Sequence, residues 1–285
     1  MSTRSKRPGN KKELAPTGIE EIDSLSALEA CTIQDYLNGV SAYVRQGSSL
    51  AASPKKAAQI RLSKALARSL ADELAVRIPQ LKNRLVTEER KVAGGLRSVN
   101  ADVSESHELD GLRLAVELKP INLAVGRAIW NRFGDIRTFA VNIHLKFPFA
   151  VVGGVLVIPT YEETETKAAK KAEKLEEVVA EDKATLFDLE EDLASVKELD
   201  CETEVTQPRR KSTTHLIEKA IARLIRAGGR KSEADAAHLL EGIAVVVYDP
   251  DTGAIDRNLP ALDSGLRWEN CISDLVIAYK SRFED

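Results

Sequence analysis

Apolar and polar residues change period several times along this chain, and each change predicts an element. Thr32 stands where a cap belongs, ahead of Ile33, Tyr36, Leu37, Val40 and Tyr43 at helical spacing, and Gly47 closes that helix. Ser53 followed by Pro54 opens a second helix with Ile60, Leu62, Leu66, Leu70 and Leu74 on its apolar side. Its basic positions are Lys55, Lys56, Arg61, Lys64 and Arg68, and Pro79 breaks it. A third helix is expected to about Val92, stopped by Gly94-Gly95, with Glu88 and Glu89 near its end.

From Asp102 to Lys119 the period changes to two. Asp110-Gly111 lies between two alternating runs and predicts a two-residue hairpin turn, because both central residues of a type I′ turn need positive φ. In that register Leu109 faces Leu112, Asp102 lies opposite Lys119, Ser104 opposite Glu117, and Glu108 opposite Arg113. Side chains alternate between faces. Val103, Leu109, Leu112, Leu114, Val116 and Leu118 form the core side. Asp102, Ser104, Ser106, Glu108, Arg113, Glu117 and Lys119 form the wet side.

Pro120 ends the strand, and residues 122–134 read as a helix with Leu123, Ile129 and Trp130 inward. Arg127, Asn131 and Arg132 share its other face. Ala140–Ile143 reads as buried material, and Ala150–Ile158 is the best core strand, with Gly153-Gly154 marking a bulge or a close backbone approach. Residues 161–205 are rich in Glu and Lys and lack Pro and Gly. Their narrow apolar stripe predicts an acidic helix or helical hairpin inserted between core elements. A basic linker follows, Gln207 to Ser212. Then come a helix capped by Thr213 or Thr214, a short helix capped by Ser232, a core strand Gly242–Tyr248, a turn at 249–253 and a helix Trp268–Phe283. These elements predict an α/β (α+β) protein, a central mixed sheet flanked by helices. The expected division is a basic arm at 1–16, a helical region at 17–80, core at 81–160, the insertion at 161–211 and core again at 212–285.

Composition narrows the function classes. The 285 residues are 43% hydrophobic, enough for a real core, and 30% charged. Net charge is −3, so any DNA-binding surface must be a local patch. Cys31, Cys201 and Cys271 are odd in number and widely spaced, which suits free thiols in a reducing, cytoplasmic setting. The four histidines have no metal-ligand spacing, and no run has the length of a transmembrane helix.

The chemistry concentrates in Asp102, Glu117 and Lys119. They form ordinary cross-strand ion pairs, worth roughly 0.2–1 kcal/mol each, or a metal site. Mg²⁺ takes one or two carboxylates and keeps waters beside a bound phosphate. An acid on one strand followed by Glu-x-Lys on the next resembles the PD-(D/E)xK phosphodiesterase superfamily, with its restriction-endonuclease-like fold. Ala101 stands where that pattern often has proline. The stretch from Glu117 to Pro159 is similar to the family's core, where an arginine-bearing helix and a hydrophobic strand follow the Glu-x-Lys strand. The resemblance covers roughly residues 85–160 and, more loosely, 212–283, and leaves out the N-terminal third.

The resemblance implies a Mg²⁺-dependent DNA endonuclease, foremost a type II restriction endonuclease acting on double-stranded DNA as a homodimer. A dimer contact through residues 161–205 is one expectation. Asp102 and Glu117 would hold the metal, and Lys119 would position the attacking water. Arg127, Asn131 and Arg132 would reach phosphates or base edges, unless they are a solvated face. A repair or recombination nuclease of the same fold, or a non-catalytic DNA-binding or assembly protein, remain the alternatives. Asp110 is the fallback for the first acid.

Overall fold

The computed structural model describes residues 14–121, 125–164 and 209–284. Four strands form a central mixed sheet in the order β3-β4-β5-β8: β3 (Val103–His107), β4 (Gly111–Pro120), β5 (Val151–Pro159) and β8 (Gly242–Tyr248). β3 runs antiparallel to β4, while β4, β5 and β8 are parallel. Parallel neighbours need crossover connections that cover a face. α4 (Val125–Lys146) joins β4 to β5, and α5 (Thr214–Leu224) lies between β5 and β8. Both pack on one face against Ala115, Val152, Leu156 and Val245. The opposite face, with Val116, Val155 and Val246, takes α6 (Trp268–Phe283) and the N-terminal helices. β5 and β8 are buried along their whole length, as strands covered on both faces must be.

The N-terminal helices are α1 (Glu20–Asp23), α2 (Ile33–Gln46) and α3 (Ala52–Arg77). Thr32 caps α2 in a reciprocal capping box with Asp35, a device worth about 1 kcal/mol. Leu37, Leu70 and Leu74 are fully buried in the same cluster as Val116 and Leu275. These helices therefore complete one face of the sheet. α3 starts at Ala52, slightly ahead of the expected Ser53 cap, and Pro79 does end it.

Four expectations are corrected. Residues to Val92 form no third helix. After a short 3-10 turn (Pro79–Leu81) the chain makes a hairpin of β1 (Arg90–Val92) and β2 (Val99–Ala101). Gly94-Gly95 sit in its loop, where glycine serves a turn as well as a helix stop. The β3–β4 turn is a three-residue loop, because His107 pairs with Gly111, whose φ is 71°. The register is therefore shifted by three residues beside the loop and by two at the open end, with Val103 opposite Val116, and a shift of two keeps side chains on their faces. A bulge at Arg113, between the pairs Glu105–Leu114 and Ser106–Leu112, then sends Leu112 to the α4 side. Leu109 lies in the loop at 88% exposure rather than in the core. Arg113 leaves the acid face, pairs with Asp110 and stacks on Phe283 of α6, 5.0 Å from its ring centre.

The third correction concerns the insertion. Tyr161–Thr164 (β6) pairs antiparallel with Arg209–Ser212 (β7), so both ends of that segment belong to one ribbon. The expected helices between them, and the basic arm through residue 13, lie outside the described residues. The fourth is local: residues 232–240 form turns and no helix.

Gly153-Gly154 causes no bulge, since both flanking registers run unbroken. It marks close approach instead. A Cβ on Gly154 would sit 2.5 Å from Ile136 Cγ2, so only glycine lets α4 rest this near the sheet. At the start of β5 and β8, Glu241 is buried among cations. Arg230 reaches its Oε1 at 3.1 Å and Arg282 at 2.8 Å. The Val152 N–H donates to Oε2 at 2.8 Å, and the His144 ring stands 3.3 Å from it. A second buried carboxylate, Glu105, takes Arg84 at 2.6 Å and the Tyr279 hydroxyl at 3.1 Å.

Candidate active site

Glu117 and Lys119 sit two apart on β4 and therefore share a face with Ala115, the face that α4 covers. Because β4 lies inside the sheet, this is no open wet face: Glu117 is only 8% exposed. Asp102 bridges β2 and β3 and braces the same place from the neighbouring strand. Its N–H donates to the Val116 carbonyl at 3.1 Å, and its Oδ2 accepts from the Leu118 N–H at 2.7 Å. The residue is thus held on both sides of Glu117 along β4, its backbone at Val116 and its carboxylate at Leu118. The Lys119 ammonium contacts Glu117 Oε1 directly.

These three residues line one cavity of about 360 Å³, together with Glu89, Arg97, Asn100, Asp135 and Phe139. β1 and β2 form its outer wall, since Glu89 immediately precedes β1 and its carboxylate accepts from Asn100. α4 forms the wall opposite. Asn142 of α4 ties the two walls together: its Oδ1 accepts from the N–H of Leu96 and of Arg97 at 3.2 and 2.9 Å.

The cavity is rich in acid. Burial pushes the Glu117 carboxyl up to about 7. Lys119 opposes that shift, while Asp102 and Asp135 add to it. Asp102 is also raised, by burial first, against the Leu118 N–H and Lys119, with Glu89 adding repulsion. Like charges gathered in a desolvated place disfavour ionisation, and an added cation reverses that. Among the described residues, no three His, Cys, Asp or Glu side chains come together to cage a metal ion. Two protein carboxylates, with the remaining positions left to water and phosphate, is the donor set Mg²⁺ favours over a complete protein cage. The residues present fit that ion.

The other expected contacts divide. Arg127, Asn131 and Arg132 are exposed on α4, outside the cavity lining. Arg132 is held at its edge by Asp135, at 3.0 Å. Asp110 pairs with Arg113 by the hairpin loop and lines no part of the cavity, so it cannot replace Asp102 there. The helix expected over 122–134 stops short of Asp135 and Phe139, whereas α4 runs on to Lys146. Extending the periodicity past Gly134, from Asn131 to Asp135 to Phe139, would have put both on the site's face. Cys31 and Cys271 are buried free thiols and line no part of the cavity; Cys201 lies outside the described residues. No described helix is long and apolar enough to cross a membrane. Comparisons with protein-family models, curated proteins and solved structures find no match for this chain.

Proposed function

We propose that this protein is a Mg²⁺-dependent DNA endonuclease of the PD-(D/E)xK type, acting as a type II restriction endonuclease. The observation that carries the reading is the pairing of Asp102 with Glu117 and Lys119 in one acid-rich cavity, where burial raises the Asp102 and Glu117 carboxyls. Asp102 and Glu117 would hold the ion. When bound, Mg²⁺ supplies Lewis-acid polarisation of the phosphate and makes bound water easier to deprotonate.

The chain supplies the rest. Lys119 offers hydrogen bonds to a non-bridging phosphate oxygen and offsets the charge that grows there as water attacks phosphorus. Lys119 also positions that water, and Glu117, set beside it, accepts from it. The new bond joins the water oxygen to phosphorus, the bond to the leaving 3′ oxygen breaks, and that oxygen takes up a proton. Asp102 is held by the Leu118 N–H, so little reorganisation is needed to keep this geometry. Arg127, Asn131 and Arg132 contribute contacts to the duplex around the site. Cutting both strands takes two such sites, and the proposal includes a homodimer working in the cytoplasm.

The test is incubation of mixed-sequence plasmid DNA with the protein, with and without Mg²⁺, and mapping of the ends. Metal-dependent cuts with 5′-phosphate ends are expected, and Asp102→Asn should lose them. Absence of cleavage across many sequences, or cleavage that survives removal of every divalent ion, contradicts the reading.

A further inference from the structure

The N-terminal helices lie outside the motif and cover the other face of the sheet, yet α3 also lines a trough that adjoins the candidate cavity. The trough encloses about 530 Å³ and shares Asp102 and Glu89 with the cavity. One wall is the exposed side of α3: Lys56, Gln59, Ile60, Ser63 and Lys64. These positions follow the three-and-four spacing of a single helix face. Pro120, just past Lys119, forms part of the floor. The trough then opens into a further recess, which shares Lys64 with it.

The basic residues of α3 split into two groups. Arg61 and Arg68 are engaged structurally. Arg61 holds Asp23 at 3.3 Å and the Ala15 carbonyl at 2.7 Å, and Arg68 holds Asp72 at 3.2 Å and the Glu29 carbonyl at 2.8 Å. Lys56 and Lys64 are exposed, and no carboxylate pairs with either among the described residues. Eight residues of helix separate them by about 12 Å. That reach matches about three nucleotides at 3.4 Å per step.

We propose that this trough holds the substrate strand beyond the cleaved phosphate, with Lys56 and Lys64 as positioning residues on two of its backbone phosphates. The inference rests on the nuclease reading. The trough lies on the α3 side of β4, beside Leu118 and Pro120, and meets the cavity at Asp102 and Glu89, so a strand whose phosphate lies in the cavity can pass to it there. The lysines suit a polyanion, whereas the acids of the facing wall press it toward α3. Ile60 and Pro120 between them offer apolar surface to a base.

The experiment measures DNA binding and cleavage by the full-length double variant Lys56→Ala, Lys64→Ala. Lys55→Ala serves as control, being exposed on α3 but outside the trough lining. Binding is read with labelled mixed-sequence duplex in Ca²⁺ at several salt concentrations. Loss of about tenfold in affinity is expected, with a salt slope shallower by roughly 1.4–1.8 for two phosphates. In Mg²⁺ the loss should fall on KM and leave kcat unchanged, while Lys55→Ala matches wild type in both. Unchanged affinity and slope in the double variant overturn the trough assignment even where wild type cuts DNA. A protein that binds DNA through these lysines but never cuts it keeps the trough and removes the nuclease reading. Equal loss in Lys55→Ala would reduce the effect to general surface charge and also overturn it.

Discussion

Two buried glutamates sit at different places on the same sheet and behave in opposite ways. Glu241 is 5% exposed and Glu117 8%. Burial raises both carboxyls, yet Glu241 ends below its usual range and Glu117 ends at about 7. The difference lies in their partners. Glu241 meets two guanidinium groups, an imidazole and a backbone N–H. Glu117 meets one ammonium and faces Asp102 and Asp135. A carboxylate fully compensated by its own chain is a structural lock. One left short of positive charge is where the proposed Mg²⁺ would sit.

The largest expected effect separates these roles by activity. Glu117→Gln and Lys119→Ala should each lower DNA cleavage by about 10²–10⁴-fold, while circular dichroism stays native. Full cleavage by Glu117→Gln would remove Glu117 from the site. Conversely, Glu241→Ala should leave two buried guanidinium groups unpaired and cost about 3–5 kcal/mol in urea denaturation. A loss under about 1 kcal/mol there would mean the lock is dispensable and would break the comparison.

Acidity sharpens the contrast. Glu117 has a raised folded value, so its protonated form favours the folded state. That contribution is complete below the ordinary value of 4.5 and is lost as pH rises through about 7. Metal-free protein should therefore lose on the order of 2 kcal/mol between pH 5 and 8 from this group, and Glu117→Gln should flatten that slope. Glu241 has the opposite sign: its contribution is present above its ordinary range and falls away in acid. Urea midpoints across pH 3–8 check both arms. The smallest effect belongs to Asp110, a loop acid paired with Arg113 and 43% exposed at its side chain. Asp110→Asn should change stability by less than about 1 kcal/mol and cleavage not at all, measured in the same two assays.

Much of this architecture is legible in the chain, for identifiable reasons. Thr32, the Ala150–Ile158 run, the Gly242–Tyr248 run and the Trp268–Phe283 helix each carry a local signal that tertiary packing reinforces. The grouping of Asp102, Glu117 and Lys119 also follows from alternation, and it survives the change of turn because the register moved by two. What escaped is non-local. A bulge at Arg113 is a property of strand pairing, and it reversed Leu112 and Arg113 together. Glu89 reaches the cavity only because residues 90–101 form a hairpin, which its Gly-Gly loop disguises as a helix end. The Glu241 lock joins residues from four separate segments, so no spacing in the chain announces it.

The account turns on the proposed Mg²⁺ site at Glu117, and calorimetry of Mg²⁺ binding tests this without knowledge of any target sequence. Titrations at pH 7 in two buffers of different ionisation enthalpy report the protons released on binding. With its carboxyl near 7, Glu117 is about half protonated there, so about half a proton should leave as the ion binds. Glu117→Gln should release almost none and bind far more weakly. Mg²⁺ binding with no proton release in the wild type, or binding of equal strength in Glu117→Gln, would contradict the claim.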